Sequence, residues 1–194
     1  TLSQEKSIPL NIGLYGGLNL NMHSPDFKYD SFTDGSGNLV DILFQKNSTT
    51  FGGNFGVIGN FPIDNIFVFT GRIGLNTLGG DLEDNLIPMS KLSSSISMLE
   101  ITPGMQFHNL ISGTDLYFLA GLEFGLPMTE KYTYGVSTDD ALSANTRFAL
   151  ALGAGWMFEV SKNIFITPEV SYRIPFTKVS EATNLTSWDI PQLR

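Results

Sequence analysis

The sequence predicts an all-β protein, an eight-stranded antiparallel up-and-down transmembrane β-barrel with short turns at one end and long loops at the other. Three observations predict it. Apolar residues recur at every second position in eight separate segments. The positions between them hold mostly Gly, Asn, Ser, Thr and Tyr, with few charges. The connections alternate between long and tight. A period of two means a strand with two unlike faces. Soluble sheets usually wet their polar face with Lys and Glu, whereas a narrow closed interior takes small polar side chains.

The first strand sets the rule. Ile8, Leu10, Ile12, Leu14, Leu18, Leu20 and Met22 share one parity, and Asn11, Gly13, Tyr15, Gly17, Asn19 and Asn21 the other. At ~3.3 Å per residue, and tilted by ~40°, this run covers the ~25 Å apolar band of an outer membrane. The second strand sets Phe51, Phe55, Val57 and Phe61 against Gly52, Asn54, Gly56 and Asn60. The third sets Phe67, Phe69, Ile73 and Leu75 against Thr70, Arg72, Gly74 and Asn76. In the fourth, Leu99, Ile101, Met105 and Phe107 oppose Glu100, Thr102, Gln106 and His108. The fifth alternates Leu116, Phe118, Leu122, Phe124 and Leu126 with Tyr117, Gly121, Glu123 and Gly125. The sixth alternates Phe148, Leu150, Leu152, Trp156 and Phe158 with Arg147, Ala149, Gly153 and Gly155. The seventh alternates Ile164, Ile166, Val170, Tyr172 and Ile174 with Thr167, Glu169, Ser171 and Arg173.

The eighth strand begins at Trp188, because Ser180, Glu181, Thr183, Asn184 and Thr186 break the alternation. Seven residues remain from Trp188 to Arg194, against the ~9–11 of a membrane strand. The native polypeptide is therefore expected to extend past Arg194, with strand eight antiparallel to strand one near Asn11 to Asn21.

Long connections are expected at roughly 23–48, 79–94, 127–145 and 177–187, and tight ones at 62–65, 109–114 and 160–163. Outer-membrane barrels place short turns in the periplasm and long loops outside. Aromatics crowd the strand ends: Phe61, Phe67, Phe107, Trp156 and Phe158 toward the tight turns, and Phe51, Phe124, Phe148, Tyr172, Phe176 and Trp188 toward the long loops. Two girdles at the lipid–water interfaces produce such a pattern. The structural rival is a soluble barrel of lipocalin type. It would bury its aromatics and carry Lys and Glu outside, and the polar parity here is too glycine-rich and too poor in charge for that.

Composition agrees. The 194 residues suit one domain, 1–194, with 15% charged residues, 12% aromatics and no Cys. No run of ~18 apolar residues offers a transmembrane helix, so a closed barrel is the remaining way to span lipid. The net charge of −8 argues against nucleic acid, whose phosphates call for clustered Lys and Arg. Thr1 to Lys6 lack a basic-then-apolar signal and read as a mature N-terminus.

The eight-strand meander, the small polar interior and the closing Trp188-Asp189-Ile190-Pro191-Gln192-Leu193-Arg194 resemble the OmpA-like outer-membrane β-barrel superfamily of Gram-negative bacteria. The resemblance covers essentially the whole chain, but as pattern; only the final segment is motif-like. It implies an outer-membrane location, both termini in the periplasm, and contact with outer-membrane lipid and lipopolysaccharide. Many members carry a periplasmic peptidoglycan-binding domain after the barrel. These residues contain none, so a peptidoglycan partner would be reached only through a segment outside them.

Candidate site residues lie on the inward parity: Arg72, Glu100, Glu123, Arg147, Glu169 and Arg173, joined by Arg194. Registers estimated from loop lengths place Arg72 opposite Glu100, Glu100 opposite Glu123, and Arg147 beside Glu123. Charges in so narrow an interior are tolerable only when paired, and eight strands leave just enough room for side chains to fill. The expected result is a plug; the competing reading is an ion path.

Other motifs carry less. His23-Ser24-Pro25-Asp26 brings together the residue types of a lipid A-modifying barrel enzyme, but a triad is a matter of geometry. His108 lacks a second metal ligand nearby. Asp34-Gly35-Ser36-Gly37-Asn38 begins like a calcium loop, then has Leu39 and Gln45 where Gly and Glu belong. No helix follows Gly16-Gly17, Gly52-Gly53 or Gly79-Gly80, so none reads as a phosphate loop. Asn47-Ser48-Thr49 and Asn184-Leu185-Thr186 match a glycosylation pattern common by chance. No catalytic residue, metal or cofactor is expected. The expected function is envelope anchoring and surface-loop display, with a narrow pore or transporter as alternative and a lipid-modifying enzyme behind it.

Overall fold

The computed structural model describes residues 8–27, 31–33, 39–41, 48–83, 91–134, 137–139, 144–179 and 185–194. The strands are β1 (Asn11–Phe27), β2 (Ser31–Thr33), β3 (Leu39–Asp41), β4 (Ser48–Pro62), β5 (Phe67–Thr77), β6 (Gly80–Glu83), β7 (Lys91–His108), β8 (Leu116–Tyr134), β9 (Ser137–Asp139), β10 (Arg147–Trp156), β11 (Phe158–Ser161), β12 (Ile164–Ile166), β13 (Glu169–Pro175), β14 (Leu185–Asp189) and β15 (Gln192–Leu193). Hydrogen bonding runs β7-β5-β4-β1-β15-β13-β10-β8, and β8 pairs back onto β7. The sheet is thus a closed ring of eight antiparallel walls. Closure matters because an open edge leaves N–H and C=O groups without partners in hydrocarbon.

The outside is an apolar belt. Leu14 is 86% exposed, Val170 63% and Leu122 50%, and they stand among the many exposed Leu, Ile and Phe of alternate positions on every wall. A soluble monomer rarely shows so large a continuous apolar surface; against acyl chains it is the favourable face. Ring pairs stiffen the belt near its rims. Phe67 meets Phe107 edge-on at 5.7 Å, Phe124 meets Phe148 edge-on at 5.4 Å, and Trp156 stacks on Phe158 at 6.0 Å.

The tight turns have local causes. Asp64 Oδ1 accepts from the backbone N–H of Ile66 and Phe67, each at 2.7 Å, folding the chain between β4 and β5. Asn109 and Asn163 take left-handed conformations, φ 55° and 64°, which Asn tolerates better than branched residues. The Asn109 side chain also donates to the Asn65 carbonyl at 2.6 Å, tying two neighbouring turns together.

The strands reach further into the long loops than expected. β1 runs to Phe27, β7 starts at Lys91, β8 continues to Tyr134, and β14 starts at Leu185. Beyond the lipid band the parity persists while its polarity inverts. Inward positions there become apolar, with Leu78, Ile96, Met98, Trp188 and Ile190 each no more than 1% exposed. Outward positions such as Thr49, Thr77, Ser95, Thr129 and Lys131 are polar and exposed. This is the dress of a soluble barrel, so the lipid-facing pattern ends before the strands do. Trp188 is accordingly inside, not in the outer girdle. It shares the inward parity of Gln192 and Arg194.

The last wall runs antiparallel to β1, as expected. β14 pairs with Ser24 to Phe27, and β15 meets β1 only at Leu20 and Asn21. The stretch from Asn11 to Asn19 therefore pairs with β4 on one side, and with no described strand on the other. The calcium-like loop at Asp34 to Asn38, the N-terminal Thr1 to Lys6, and Asn47 and Asn184 lie outside the described residues.

Candidate functional site: the charged interior

Parity alone sends seven charged side chains inward from six walls. Glu123 on β8 is wholly buried. Its Oε1 accepts from Arg147 Nε at 2.8 Å and its Oε2 from Arg173 Nε at 2.9 Å, with Arg194 at 3.2 Å. Arg147 also donates to the Ile190 carbonyl at 2.9 Å. Glu100 on β7 binds Arg194 through both oxygens, at 2.8 and 2.7 Å. Arg72 on β5 grips Glu169 on β13 in the same two-pronged way, at 2.7 and 2.5 Å. Such planar forks are the strongest ion-pair geometry available to side chains.

Two of these pairs differ from the neighbour pairing expected from loop lengths. Arg72 stands beside Thr102, not Glu100, and Glu100 beside Gly125, not Glu123. Each register is shifted by two residues from the expectation, and the like charges are spared a face-to-face contact. More important is the ring. β5 and β13 lie four walls apart in a ring of eight, as do β7 and β15. Arg72–Glu169 and Glu100–Arg194 are therefore struts across the full diameter, possible because an eight-stranded interior is about two long side chains wide.

Neutral groups fill the space between the struts. Asn19 links to Asn54 and Asn76 through side-chain amides, and Asn76 donates to both Glu100 and Gln192. Tyr117 donates to Glu169 Oε2 at 3.0 Å. The Arg72 guanidinium carbon lies 6.0 Å from the centre of the Tyr15 ring. Tyr15 lies across Gly56 and Gly74, which face each other on β4 and β5. A Cβ on either glycine would collide with the Tyr15 side chain and with the opposite backbone, so the pattern needs glycine there.

Apolar layers bound this polar zone. At the long-loop end sit Leu78, Ile96, Met98, Trp188 and Ile190, and the Trp188 indole N–H donates to His23 Nδ1 at 3.3 Å. At the tight-turn end sit Val68, Leu119 and Met157, beside His108 stacked on Tyr117 at 5.1 Å. A cavity of about 310 Å³, lined by Tyr15, Arg72, Tyr117, Glu169, Arg173 and Arg194 among others, opens beside β1.

The remaining sequence candidates separate in space. His23 points inward and is buried, while Ser24 and Asp26 are exposed on the outer face. Alternation along one strand cannot bring the three together. His108 Nε2 lies 3.1 Å from Gln106 Oε1. Among the described residues no group of three or more His, Cys, Asp or Glu could hold a metal. The Asn19–Asn54–Asn76 cluster and the two tyrosines are not among the site residues expected from the sequence; the available signal is their inward parity, with the three Asn on adjacent walls.

A model of the outer membrane protein β-barrel domain matches residues 2–181. The chain belongs to this outer-membrane β-barrel family. Two solved structures are similar to it at 15% identity. One is Ail, the attachment invasion locus protein of Yersinia pestis, in complex with the heparin analogue sucrose octasulfate, with TM-score 0.43, covering 96% of this chain and 95% of that one. The other is a second crystal structure of Ail from Yersinia pestis, with TM-score 0.37 and 93% of each chain covered. No curated protein matches the chain closely enough to count as a relative.

Proposed function

We propose that this outer-membrane barrel is a non-enzymatic anchor. It holds in the lipid by its apolar belt and displays the four long connections outside the cell, with both termini on the periplasmic side. Its contacts are outer-membrane lipid and lipopolysaccharide. Arg72, Glu100, Glu123, Arg147, Glu169, Arg173 and Arg194 serve as an electrostatic filling that stiffens the barrel and leaves no continuous water path. The observation that carries this reading is the pair of cross-barrel struts, Arg72–Glu169 and Glu100–Arg194. A pore that passes solutes would have to break both, and each is a desolvated pair that is costly to open. The apolar layers at the two ends support the same reading. The cavity beside Arg72 favours a second one, a narrow path for small solutes, in which the struts act as a gate.

The chain has no Cys, so orientation can be read without background. Thr138→Cys, beyond β8, and Lys162→Cys, between β11 and β12, are placed separately in the protein in whole cells. A membrane-impermeant maleimide should label the first and leave the second unlabelled until the outer membrane is opened. Labelling of Lys162→Cys alone in intact cells would reverse the orientation and end the display proposal.

A further inference from the structure

His23 stands apart from the charged network and is only 1% exposed. It lies beyond the lipid band, opposite Ser48 on β4, among the apolar side chains of the long-loop end. Both of its ring nitrogens are engaged. Nδ1 accepts from the Trp188 indole N–H at 3.3 Å. Nε2 lies 3.3 Å from Thr50 Oγ1, and that hydroxyl gives its single hydrogen to the Gly79 carbonyl at 2.8 Å.

These partners fix the proton. An indole N–H can only donate, so Nδ1 carries a lone pair. The Thr50 oxygen has only acceptor capacity left, so Nε2 carries the hydrogen. The neutral ring is therefore satisfied at both nitrogens. An imidazolium has two N–H donors, and the one on Nδ1 would point at the indole N–H. There is little room to turn away, since a Cβ on Gly80 would already collide with Nε2.

The carboxylates on the surrounding elements lie elsewhere. β4 carries no charged residue. Asp26 on β1 is exposed on the outer face, and Asp189 on β14 pairs with exposed Ser24 on that same face. Asp81 on β6 is exposed. Glu100 on β7 is held by Arg194 through both oxygens. Burial therefore holds the His23 ring neutral well below the ~6.5 of an exposed histidine, opposed only in part by the Gly79 carbonyl and the charge of Asp81.

Trp188 is also what seats β14. Among the described strands β14 pairs with β1 alone, over Ser24 to Phe27, with a break in register after Asp26. On its other side the Trp188 carbonyl accepts from the Val179 N–H at 2.8 Å.

We propose that His23 and Trp188 form an acid-released latch at the long-loop end of the barrel. Neutral His23 holds the indole inside and β14 against β1. A proton added at Nδ1 removes the acceptor of the indole N–H and puts a charge into an apolar layer. Trp188 then leaves the interior, β14 loosens, and the long connections joined to β1 and β14 rearrange. The unfolded chain takes up this proton first, so the stability that the neutral ring confers is complete above about pH 6.5 and falls as the pH drops below it. That the acid arrives from outside the cell rests on the display proposal; the latch itself does not.

The test is made in lipid vesicles. The chain has two Trp and two His, so Trp156→Phe leaves Trp188 as the sole indole. Its emission should stay that of a shielded ring from pH 7 to below the ordinary histidine range. On further acidification it should shift reversibly to longer wavelength and become open to quenching by acrylamide. His23→Gln offers an oxygen to the indole and an N–H to Thr50 but takes no proton, so in this background the transition should vanish while emission at pH 7 is unchanged. A Trp188 that stays shielded to about pH 3 would overturn the latch. So would the same transition in His23→Gln, which would assign it to carboxylates. Should His23→Gln not fold, the ring resonances of His23 and His108 in the otherwise unmodified Trp156→Phe protein decide. The latch requires His23 to be the Nε2–H tautomer at neutral pH and to titrate together with the exposure of Trp188; titration of His23 with Trp188 still shielded would overturn it.

Discussion

Glu123 is the side chain on which the interior leans most heavily, and Glu123→Gln isolates its charge. The amide keeps the volume, so no cavity contributes to the loss. What disappears is the counter-charge to Arg147 and Arg173, held at 2.8 and 2.9 Å. Both guanidiniums are nearly sealed from solvent, at 4% and 2% side-chain exposure, so water does little to screen the change. Arg194 keeps Glu100 and Arg147 keeps the Ile190 carbonyl, leaving Arg173 as the orphan. Removing one partner of such a buried pair costs about 3–5 kcal/mol. The assay is urea unfolding in lipid bilayers, with the folded fraction read by heat-modifiable mobility on a gel. Glu159→Gln, at an exposed position near the tight turns, serves as control and should cost less than about 1 kcal/mol. A loss for Glu123→Gln no larger than the control's would refute the pairing as a source of stability.

Arg placed at Phe69, Ile101, Leu122 or Leu152 should cost about 2–4 kcal/mol near the bilayer midplane, measured by the same unfolding assay; tolerance at all four would contradict a lipid-facing belt. Trp188→Ala empties a large part of the apolar layer at the long-loop end and strips His23 of its indole donor, at a cost of about 3–5 kcal/mol. A Trp188→Ala barrel as stable as the parent would show that this layer is not packed.

Most of the walls were legible because lipid imposes one rule on one face over a whole strand. Leu99, Ile101, Met105 and Phe107 announce β7 without any knowledge of its neighbours. Legibility fails where the solvent changes: Ile96 and Met98 continue β7 with apolar residues inside, so the lipid-facing signal ends although the strand does not. Trp188 was misplaced for a related reason. An aromatic near a strand end suggests a girdle, yet its even spacing from Gln192 and Arg194 turns it inward. The charged residues were readable as inward-facing, but their partners were not. Hairpin registers relate adjacent walls only, whereas Arg72 and Glu169 are 97 residues apart in sequence and meet across a diameter that exists only once the ring has closed. The separation of His23 from Ser24 and Asp26, by contrast, follows from strand alternation alone.

The central claim is that the interior is filled and closed, and conductance across planar bilayers tests it most directly. Protein purified from native outer membranes and inserted into the bilayer should show no steady conductance above the bare membrane, because both cross-barrel struts and both apolar layers lie in the path. A stable, ohmic single-channel current from the unmodified protein would contradict the account and make the struts parts of a pore.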